Sequence, residues 1–278
     1  MRTLNILFAF MILAGFSSCL KESPRFDPAK SPGVIEIHQR IPDLIGSPTS
    51  STYPLFRENF VIADESNFDV IIKYVGPDVA PEDITVTLEI DPSVLDIYNA
   101  ENGAHLVMLP EALYTVSTFT VTIPKGQREA IWPIKLKSNQ FSFSEQYGLP
   151  LVIKSASSGN ISGNFGTVIY NVGPKNQWDG VYDNTFETIG LAGNGHNTVT
   201  LTTVNATRVK FGLIGVYSNE VFLDIDPATN LVTVSMTSLL PIATDPSSHY
   251  DPATKTFHIL FTTNGGGRTI KQTMVREE

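Results

Sequence analysis

The sequence predicts an all-β protein with two strand-rich blocks, and three observations support this. Apolar and polar residues alternate with a period of two in many short segments, as in strands buried on one face. Residues that favour turns, mainly Gly, Pro, Asp and Asn, separate those segments. No long segment has the 3.6-residue period of a helix. Short strands at this spacing predict a sandwich for the first block and an antiparallel β-barrel or second sandwich for the other.

The first block contains three clear alternating segments whose apolar residues we expect inside. Those residues are Phe68, Val70, Ile72 and Tyr74; Ile84, Val86, Leu88 and Ile90; and Phe119, Val121 and Ile123. Asp91-Pro92-Ser93 and Asn102-Gly103 are interpreted as turns between strands. Trp132 shares a face with Ile134 and Leu136, so it is predicted to lie in the core.

The second block begins near Trp178, after residues 171–177, which we interpret as a domain boundary. Its inward residues are predicted to include Val209, Phe211, Leu213, Val221, Leu223 and Ile225. The tetrapeptide Asp-Pro-Ala-Thr occurs twice, at residues 226–229 and 251–254, each time before a strand. Pro fixes φ for a turn and Asp caps it, so both copies are predicted to form hairpin turns.

The N-terminus resembles a bacterial lipoprotein signal peptide. Residues 4–16 are apolar apart from Asn5, but they are too few to span a bilayer, which takes roughly 20 residues. Their length suits the apolar region of a signal peptide. Ser17 and Ser18 provide small residues directly before Cys19, the only cysteine. We therefore expect a signal peptide at residues 1–18, acylation of Cys19 and a Pro-rich tether at residues 19–32; an ordinary secretory signal is the alternative.

Composition limits the domain count and the classes of partner. The 278 residues suit two domains, predicted at residues 33–173 and 174–278. The net charge is −9, and removing residues 1–18 takes away only Arg2, which gives −10. Such an acidic chain is not expected to bind nucleic acid, which requires basic patches. With Cys19 acylated, no thiol remains for a disulfide or a metal cluster.

Residues 34–170 resemble the DUF1735 domain of Bacteroidetes lipoproteins. The matching stretches, in order, are Asp91-Pro92-Ser93-Val94-Leu95 with Tyr98-Asn99, Leu109-Pro110 with Tyr114, Val121-Thr122-Ile123-Pro124-Lys125-Gly126, and Leu149-Pro150-Leu151-Val152-Ile153. The order and spacing of these stretches carry the resemblance, which covers about half of the chain. The segment from Trp178-Asp179-Gly180-Val181-Tyr182 to the C-terminus resembles the DUF4361 type.

The resemblance implies an immunoglobulin-like N-terminal sandwich and a lipid-anchored protein of the outer membrane, at the cell surface. Such proteins are often encoded beside SusC/SusD-like glycan-uptake systems. The implied partners are therefore a polysaccharide or oligosaccharide, a SusC/SusD-like complex, and the membrane through the Cys19 lipid. The family carries no agreed set of functional residues, so none is transferred to this chain.

Catalytic and metal-binding motifs are not evident, so we expect no enzyme activity, cofactor or metal. The five histidines form no H-E-x-x-H motif and stand beside no G-x-S-x-G elbow, and they are interpreted as surface or edge residues. Glycoside hydrolysis by paired carboxylates stays open, because an acidic all-β chain offers many such pairs. Asp224, Asp226 and Asn230 resemble the start of a calcium loop, but Thr229 and Ser235 replace its Gly and Glu, which favours a turn.

Aromatic residues supply the remaining functional signal, because sugar rings stack on aromatic faces. Phe222 alternates with Val221 and Leu223, so it is expected to face outward. Tyr217 and Tyr250 are predicted to lie in exposed turns. Trp178 begins the stripe Trp178, Tyr182, Phe186, which is interpreted mainly as core; the alternative is that one end of the stripe lines a groove. Tyr217, Phe222, Tyr250 and Trp178 are the candidate ligand-binding residues.

The sequence thus favours non-catalytic glycan binding by a lipid-anchored protein within a polysaccharide-uptake system. The alternative is a structural or adhesin-like assembly module of a cell-surface complex. A binding module should present an exposed aromatic groove with polar neighbours. An assembly module should instead present an unpaired strand edge or a large apolar patch.

Overall fold

The structure, a computed structural model, describes residues 33–38 and 51–277. The predicted signal peptide, Cys19 and the tether lie outside the described residues, and these assignments stay predictions. The all-β prediction is confirmed, because strands dominate the described chain and form three sheets. Within the described residues, no helix is long and apolar enough to cross a membrane.

Within residues 33–38 and 51–175, eleven strands and one helix build the N-terminal sandwich. In chain order they are β1 (Val34–Ile37), β2 (Leu55–Val61), β3 (Ser66–Val75), β4 (Ile84–Ile90), α1 (Pro92–Asn102), β5 (Val107–Met108), β6 (Tyr114–Val116), β7 (Thr120–Ile123), β8 (Glu129–Leu136), β9 (Tyr147–Ala156), β10 (Asn160–Ile161) and β11 (Thr167–Lys175). Single 3-10 turns occur at Glu111–Leu113 and Ser138–Gln140. One sheet has the order β10-β1-β3-β8-β6 and the other β2-β11-β9-β4-β7, with β5 beside β9.

The two sheets bury one shared apolar core, and most of the predicted inward residues line it. Trp132 is fully buried there, as predicted, and its indole Nε1 donates a hydrogen bond to the Thr118 carbonyl at 2.6 Å. Phe119 is an exception, since 44% of its surface is exposed. It lies just before β7 begins, so the period of the strand does not control its side chain, and its ring packs at 5.9 Å on Trp132.

Helix α1 corrects the prediction of a turn at Asp91-Pro92-Ser93. The Asp91 carboxylate accepts a hydrogen bond from the Ser93 N–H at 2.9 Å, and Pro92 occupies the first helical turn. Gly103, with φ 58°, ends the helix in the left-handed conformation. A capped turn and a helix start share this chemistry. The helix forms because Val94, Leu95, Tyr98 and the sheet residue Ile169 bury one another in a second apolar cluster.

Nine further strands form the C-terminal barrel. They are β12 (Gly180–Ile189), β13 (Gly195–Asn205), β14 (Arg208–Gly212), β15 (Glu220–Ile225), β16 (Val232–Met236), β17 (Ala243–Thr244), β18 (His249–Asp251), β19 (Thr256–Thr263) and β20 (Arg268–Arg276). Single 3-10 turns occur at Leu213–Gly215 and Asn264–Gly266. The strand order is β16-β15-β14-β13-β12-β20-β19-β17, with β18 also paired to β19.

This sheet curls until its two ends meet, which decides between barrel and sandwich. The Val232 N–H donates to the Ser248 carbonyl, and the Tyr250 N–H donates to the Asn230 carbonyl, both at 2.9 Å. Leu231 and His249 form an isolated bridge at the same junction. The second block is therefore a nearly closed antiparallel barrel.

The barrel interior follows the predicted alternation. Val209, Phe211, Leu213, Val221, Leu223 and Ile225 are all buried. The stripe of Trp178, Tyr182 and Phe186 is also buried in this core, which confirms its main interpretation. The aromatic stripe therefore fills the barrel.

Both Asp-Pro-Ala-Thr segments form the predicted turns, with matching hydrogen bonds. Asp226 accepts from the Ala228 N–H at 2.8 Å and the Thr229 hydroxyl at 2.9 Å. Asp251 accepts from the Ala253 N–H and the hydroxyl of Thr254, each at 2.9 Å. These bonds hold the pKa of both carboxyl groups below the usual value, because they favour the ionised form. The turn interpretation of the calcium-like segment is thereby confirmed.

We expect that a cut after Lys175 leaves two independently folded parts. β11 ends at Lys175, β12 begins at Gly180, and the sandwich and the barrel have separate apolar cores. Asn176, on the far side of the cut, already donates hydrogen bonds to the Asn205 and Arg208 carbonyls of the barrel. Residues 33–175 and 176–278 should each give cooperative thermal unfolding by circular dichroism. An unfolded fragment on either side would contradict this.

Candidate functional site

The loop between β14 and β15 forms the most site-like feature of the barrel. Antiparallel pairing places this loop, residues 213–219, at the same end as residues 190–194, 237–242 and 264–267. We call this the far end, because the chain enters the barrel at the opposite one. The Asn219 side chain donates to the Ser238 hydroxyl at 2.9 Å, and the Asn264 N–H donates to the Leu239 carbonyl at 2.8 Å. The loops of the far end thus support one another.

Glycines allow the 213–219 loop to fold tightly against β13. A Cβ on Gly215 would stand 2.5 Å from the Val199 side chain, and the φ of Gly215 is +72°. The Leu213 N–H donates to the Asn219 carbonyl at 2.9 Å and closes the loop. The two residues after Gly215, Val216 and Tyr217, therefore point away from the core. The exposed fraction of Tyr217 is 38%.

Tyr217 lines an open depression of about 410 Å³. The other residues that line it include three that carry hydroxyl groups, Thr198, Thr200 and Ser218, and the apolar residues Val199, Phe211 and Val216. This volume lies within the usual range for small-molecule sites, about 300–1,000 Å³. An aromatic face beside hydroxyl groups can bind a ligand that has both apolar faces and hydroxyls.

A buried amide network holds the loop from inside the barrel. The Asn197 side chain donates to the Ile214 carbonyl at 2.9 Å, and the Asn184 side chain donates to Asn197 Oδ1 at 2.8 Å. Gln272 Nε2 in turn donates to Asn184 Oδ1 at 3.0 Å. Ile214 has φ 50°, a strained value for a β-branched residue. The network fixes the carbonyl of this strained residue directly below the depression.

This network was not predicted, although the alternation of apolar and polar residues contains a signal for it. Asn184 occupies an inward position between Tyr182 and Phe186, and Gln272 occupies one between Ile270 and Met274. A polar residue at an inward position of an otherwise apolar strand requires a buried partner. Two such residues, on the paired strands β12 and β20, predict an internal hydrogen bond.

Phe222 faces outward, as predicted, but it does not line the depression. The Arg208 guanidinium carbon lies 5.6 Å from the centre of its ring. Arg208 forms a bidentate ion pair with Asp224 at 2.6 and 2.7 Å, and this hydrogen bonding raises the pKa of Arg208. The guanidinium therefore covers part of the Phe222 ring, which leaves less of it for a ligand.

Tyr250 and Trp178 are both buried, and the prediction that Tyr250 lies in an exposed turn is wrong. Tyr250 is central in β18, with 8% of its surface exposed. Its ring contacts Trp178 edge-on at 6.2 Å and Phe257 at 4.7 Å. The physical reason is closure of the barrel. Residues 249–251 form strand β18, which pairs with β19, and the alternation along this strand directs the Tyr250 side chain into the core. The structure therefore keeps only Tyr217, of the four candidates, in an open depression.

A second depression, of about 540 Å³, lies at the opposite end of the barrel. It is lined by Ala253, Thr254, Lys255, Arg276 and Glu277. No aromatic ring lines it, and the Arg276 guanidinium already donates to the Gln177 and Asp179 carbonyls. Within the part of the chain that the structure describes, no three His, Cys, Asp or Glu residues form a metal-binding group.

Two family models match the chain. Residues 46–160 match the model of a “-like, N-terminal domain” family, and residues 180–278 match that of DUF7015, a domain of unknown function. No curated protein matches the chain in sequence.

Solved structures from Bacteroides share the architecture. A protein of unknown function from Bacteroides ovatus is 15% identical, with 89% of this chain and 95% of that chain covered and a TM-score of 0.54. A multidomain protein including DUF1735, from the same species, is 14% identical, with 87% and 92% covered and a TM-score of 0.47. An auxiliary nutrient binding protein from Bacteroides thetaiotaomicron is 15% identical, with 79% and 89% covered and a TM-score of 0.45. At 15% identity, the likeness to the first of these structures concerns the fold alone.

These comparisons settle the family of the N-terminal sandwich and revise that of the barrel. The resemblance of residues 34–170 to DUF1735 is confirmed. The DUF4361 resemblance is not confirmed, because the model that matches this segment is DUF7015. The family match of the sandwich therefore covers residues 46–160, and residues 180–278 of the barrel match DUF7015.

Proposed function

We propose that this protein binds glycan without catalysis, at the depression beside Tyr217. In this proposal Cys19 carries the lipid that holds the protein on the outer membrane, at the cell surface. A polysaccharide-uptake system of the SusC/SusD-like kind would be its setting. The barrel would then present its far end to the ligand.

The observation that carries the proposal is the half-open Tyr217 ring beside three hydroxyl side chains. Sugar rings present C–H faces that pack on an aromatic ring, and their hydroxyls exchange hydrogen bonds with Thr and Ser. Thr198, Thr200 and Ser218 provide those groups around the same depression. The lining residues themselves are uncharged, but the Thr198 hydroxyl already donates to the Glu277 carboxylate at 3.3 Å, so the polar part of the proposal rests mainly on Thr200 and Ser218.

The buried amide network also supports a binding role. Binding is stronger when the free protein already holds the bound geometry, because less conformational entropy is lost. The bond from Asn197 to the Ile214 carbonyl and the bond from Asn219 to Ser238 hold the loop on both sides of Tyr217. An auxiliary nutrient binding protein is among the similar structures, but the proposal for this chain depends on its own residues.

Replacing Tyr217 with Ala is expected to weaken glycan binding and leave the fold intact. Loss of one ring contact should cost about 1 kcal/mol, by analogy with aromatic pairs, which lowers affinity roughly five-fold. The measurement is retention of the full chain on native gels that contain a polysaccharide. Phe143→Ala is the matched control, because Phe143 is 42% exposed and lies in the sandwich.

Each outcome of this experiment is informative. A Tyr217→Ala variant that is retained like the parent, on a polysaccharide that slows the parent, would place the site elsewhere. If no polysaccharide slows the parent chain, the assembly-module alternative becomes the better one. That alternative is favoured by exposed apolar residues at the far end, namely Ile189, Val216 and Leu240.

A further inference from the structure

Two histidines face each other on the outer surface of the barrel, away from the far end. His249 of β18 and His258 of β19 are directly paired in the antiparallel register. Their rings stack with centroids 4.9 Å apart and planes inclined by 28°, and both side chains are exposed. Each one was predicted separately, as a surface or edge residue. Pairing across two strands brings four ring nitrogens into one small area.

The hydrogen bond of His249 defines which of its nitrogens is free. His249 Nδ1 lies 2.7 Å from the Ser247 carbonyl oxygen, which can only accept a hydrogen bond. Nδ1 therefore carries the proton, and the lone pair of the neutral ring is on Nε2. An imidazole that binds a metal through one nitrogen typically donates a hydrogen bond from its other nitrogen, often to a backbone carbonyl as here.

The surroundings of the pair favour a cation. Leu231 and Thr273 flank the two histidines in the register, and neither carries a charge. The Asp251 carboxylate lies nearby. Hydrogen bonds from Thr254 and Ala253 are the main causes of its lowered pKa, and His258 adds a smaller electrostatic contribution. No Lys or Arg occupies the paired positions on either side, so a bound cation would meet a carboxylate and not a competing positive charge.

We propose that His249 and His258 form an open, two-imidazole binding site for a divalent transition-metal cation. Each ring would supply one nitrogen, at about 2.0–2.1 Å for Zn²⁺, and water would complete the coordination. Affinity should follow the general order for nitrogen ligands, with Cu²⁺ above Ni²⁺ and Zn²⁺. The site lies on strands that do not line the Tyr217 depression, so it is independent of the proposed glycan binding.

Calorimetric titration of the untagged full chain with NiCl₂, in a buffer that does not chelate metals, tests this proposal. The parent should bind one Ni²⁺, and His249→Gln and His258→Gln should each lower the affinity at least ten-fold. His196→Gln is the control, because His196 is equally exposed but pairs with Asp183 and has no histidine opposite. Binding should also be lost in acid, because protons compete for the same nitrogens.

A second measurement locates the metal and monitors the fold. Ni²⁺ is paramagnetic, so substoichiometric amounts should broaden the imidazole proton signals of His249 and His258 before those of His196. Unchanged circular dichroism would show that the Gln variants are folded. The proposal is overturned if the parent binds no Ni²⁺, if both Gln variants bind it like the parent, or if His196→Gln loses as much affinity.

Discussion

Replacing Asn184 with Leu is expected to lower the free energy of unfolding of the C-terminal barrel by about 2–4 kcal/mol. Leu branches at the same position as Asn and is bulkier, so the change leaves no cavity and acts mainly through the lost hydrogen bonds. Gln272 Nε2 would lose its acceptor, and Asn197 Oδ1 would lose its donor. A buried polar group left without a partner costs about 1–3 kcal/mol, and two such groups arise here.

This variant should also weaken the proposed glycan binding, because the loop that carries Tyr217 would be less fixed. Urea unfolding followed by circular dichroism gives the stability, and gel retention gives the binding. The double variant Asn184→Leu with Gln272→Leu is the matched test, since removing both partners leaves fewer orphaned groups. It should be less destabilised than the sum of the two single variants. Strict additivity would mean that the two side chains do not interact.

Replacing Cys19 with Ser is expected to release the protein from the membrane completely. The prediction comes from the apolar segment at residues 4–16 and from Ser17 and Ser18. Acyl chains contribute about 0.8 kcal/mol for each buried CH₂, so several chains on one Cys give a stable anchor that no other predicted feature replaces. The parent should sediment with membranes, and the variant should stay in the supernatant.

Mass spectrometry of the parent provides the direct control. The first residue of the membrane-bound protein should be Cys19, with a mass increment that corresponds to its lipid. A soluble parent with an unmodified Cys19 would contradict the prediction and favour the ordinary secretory signal. A Ser18→Ala variant keeps a small residue before Cys19 and should remain anchored.

The alternation of apolar residues predicted most of the fold, because burial on one face of a strand imposes a period of two. This held for Val209 and Phe211 in β14 and for Trp132 in β8. Predictions from local patterns failed where a segment formed a different secondary structure from the one expected. Asp91-Pro92-Ser93 starts helix α1, because the same capping bonds serve a turn and a helix. Tyr250 was misplaced because pairing between β18 and β19 depends on distant residues.

The candidate site could be predicted only in part. Outward alternation placed Phe222 correctly, but the covering of its ring by Arg208 is a cross-strand contact between β14 and β15 that no local pattern contains. Tyr217 was found from its place in a Gly-rich turn. The depression beside it depends on Thr198 and Thr200 of β13, which only the sheet pairing brings near. The buried amides were present in the pattern as polar residues at inward positions.

Closure of the barrel limits how this protein can recruit another polypeptide. Strands at the edge of an open sheet can accept an extended segment from a partner by main-chain hydrogen bonding. In the barrel, the bonds of Val232 and Tyr250 join the two ends of the sheet and occupy the main chain there. The sandwich differs, because β6 and β7 are terminal strands of its two sheets. Among the described strands, the addition of a partner strand is therefore open to the terminal strands of the sandwich and not to the closed junction of the barrel.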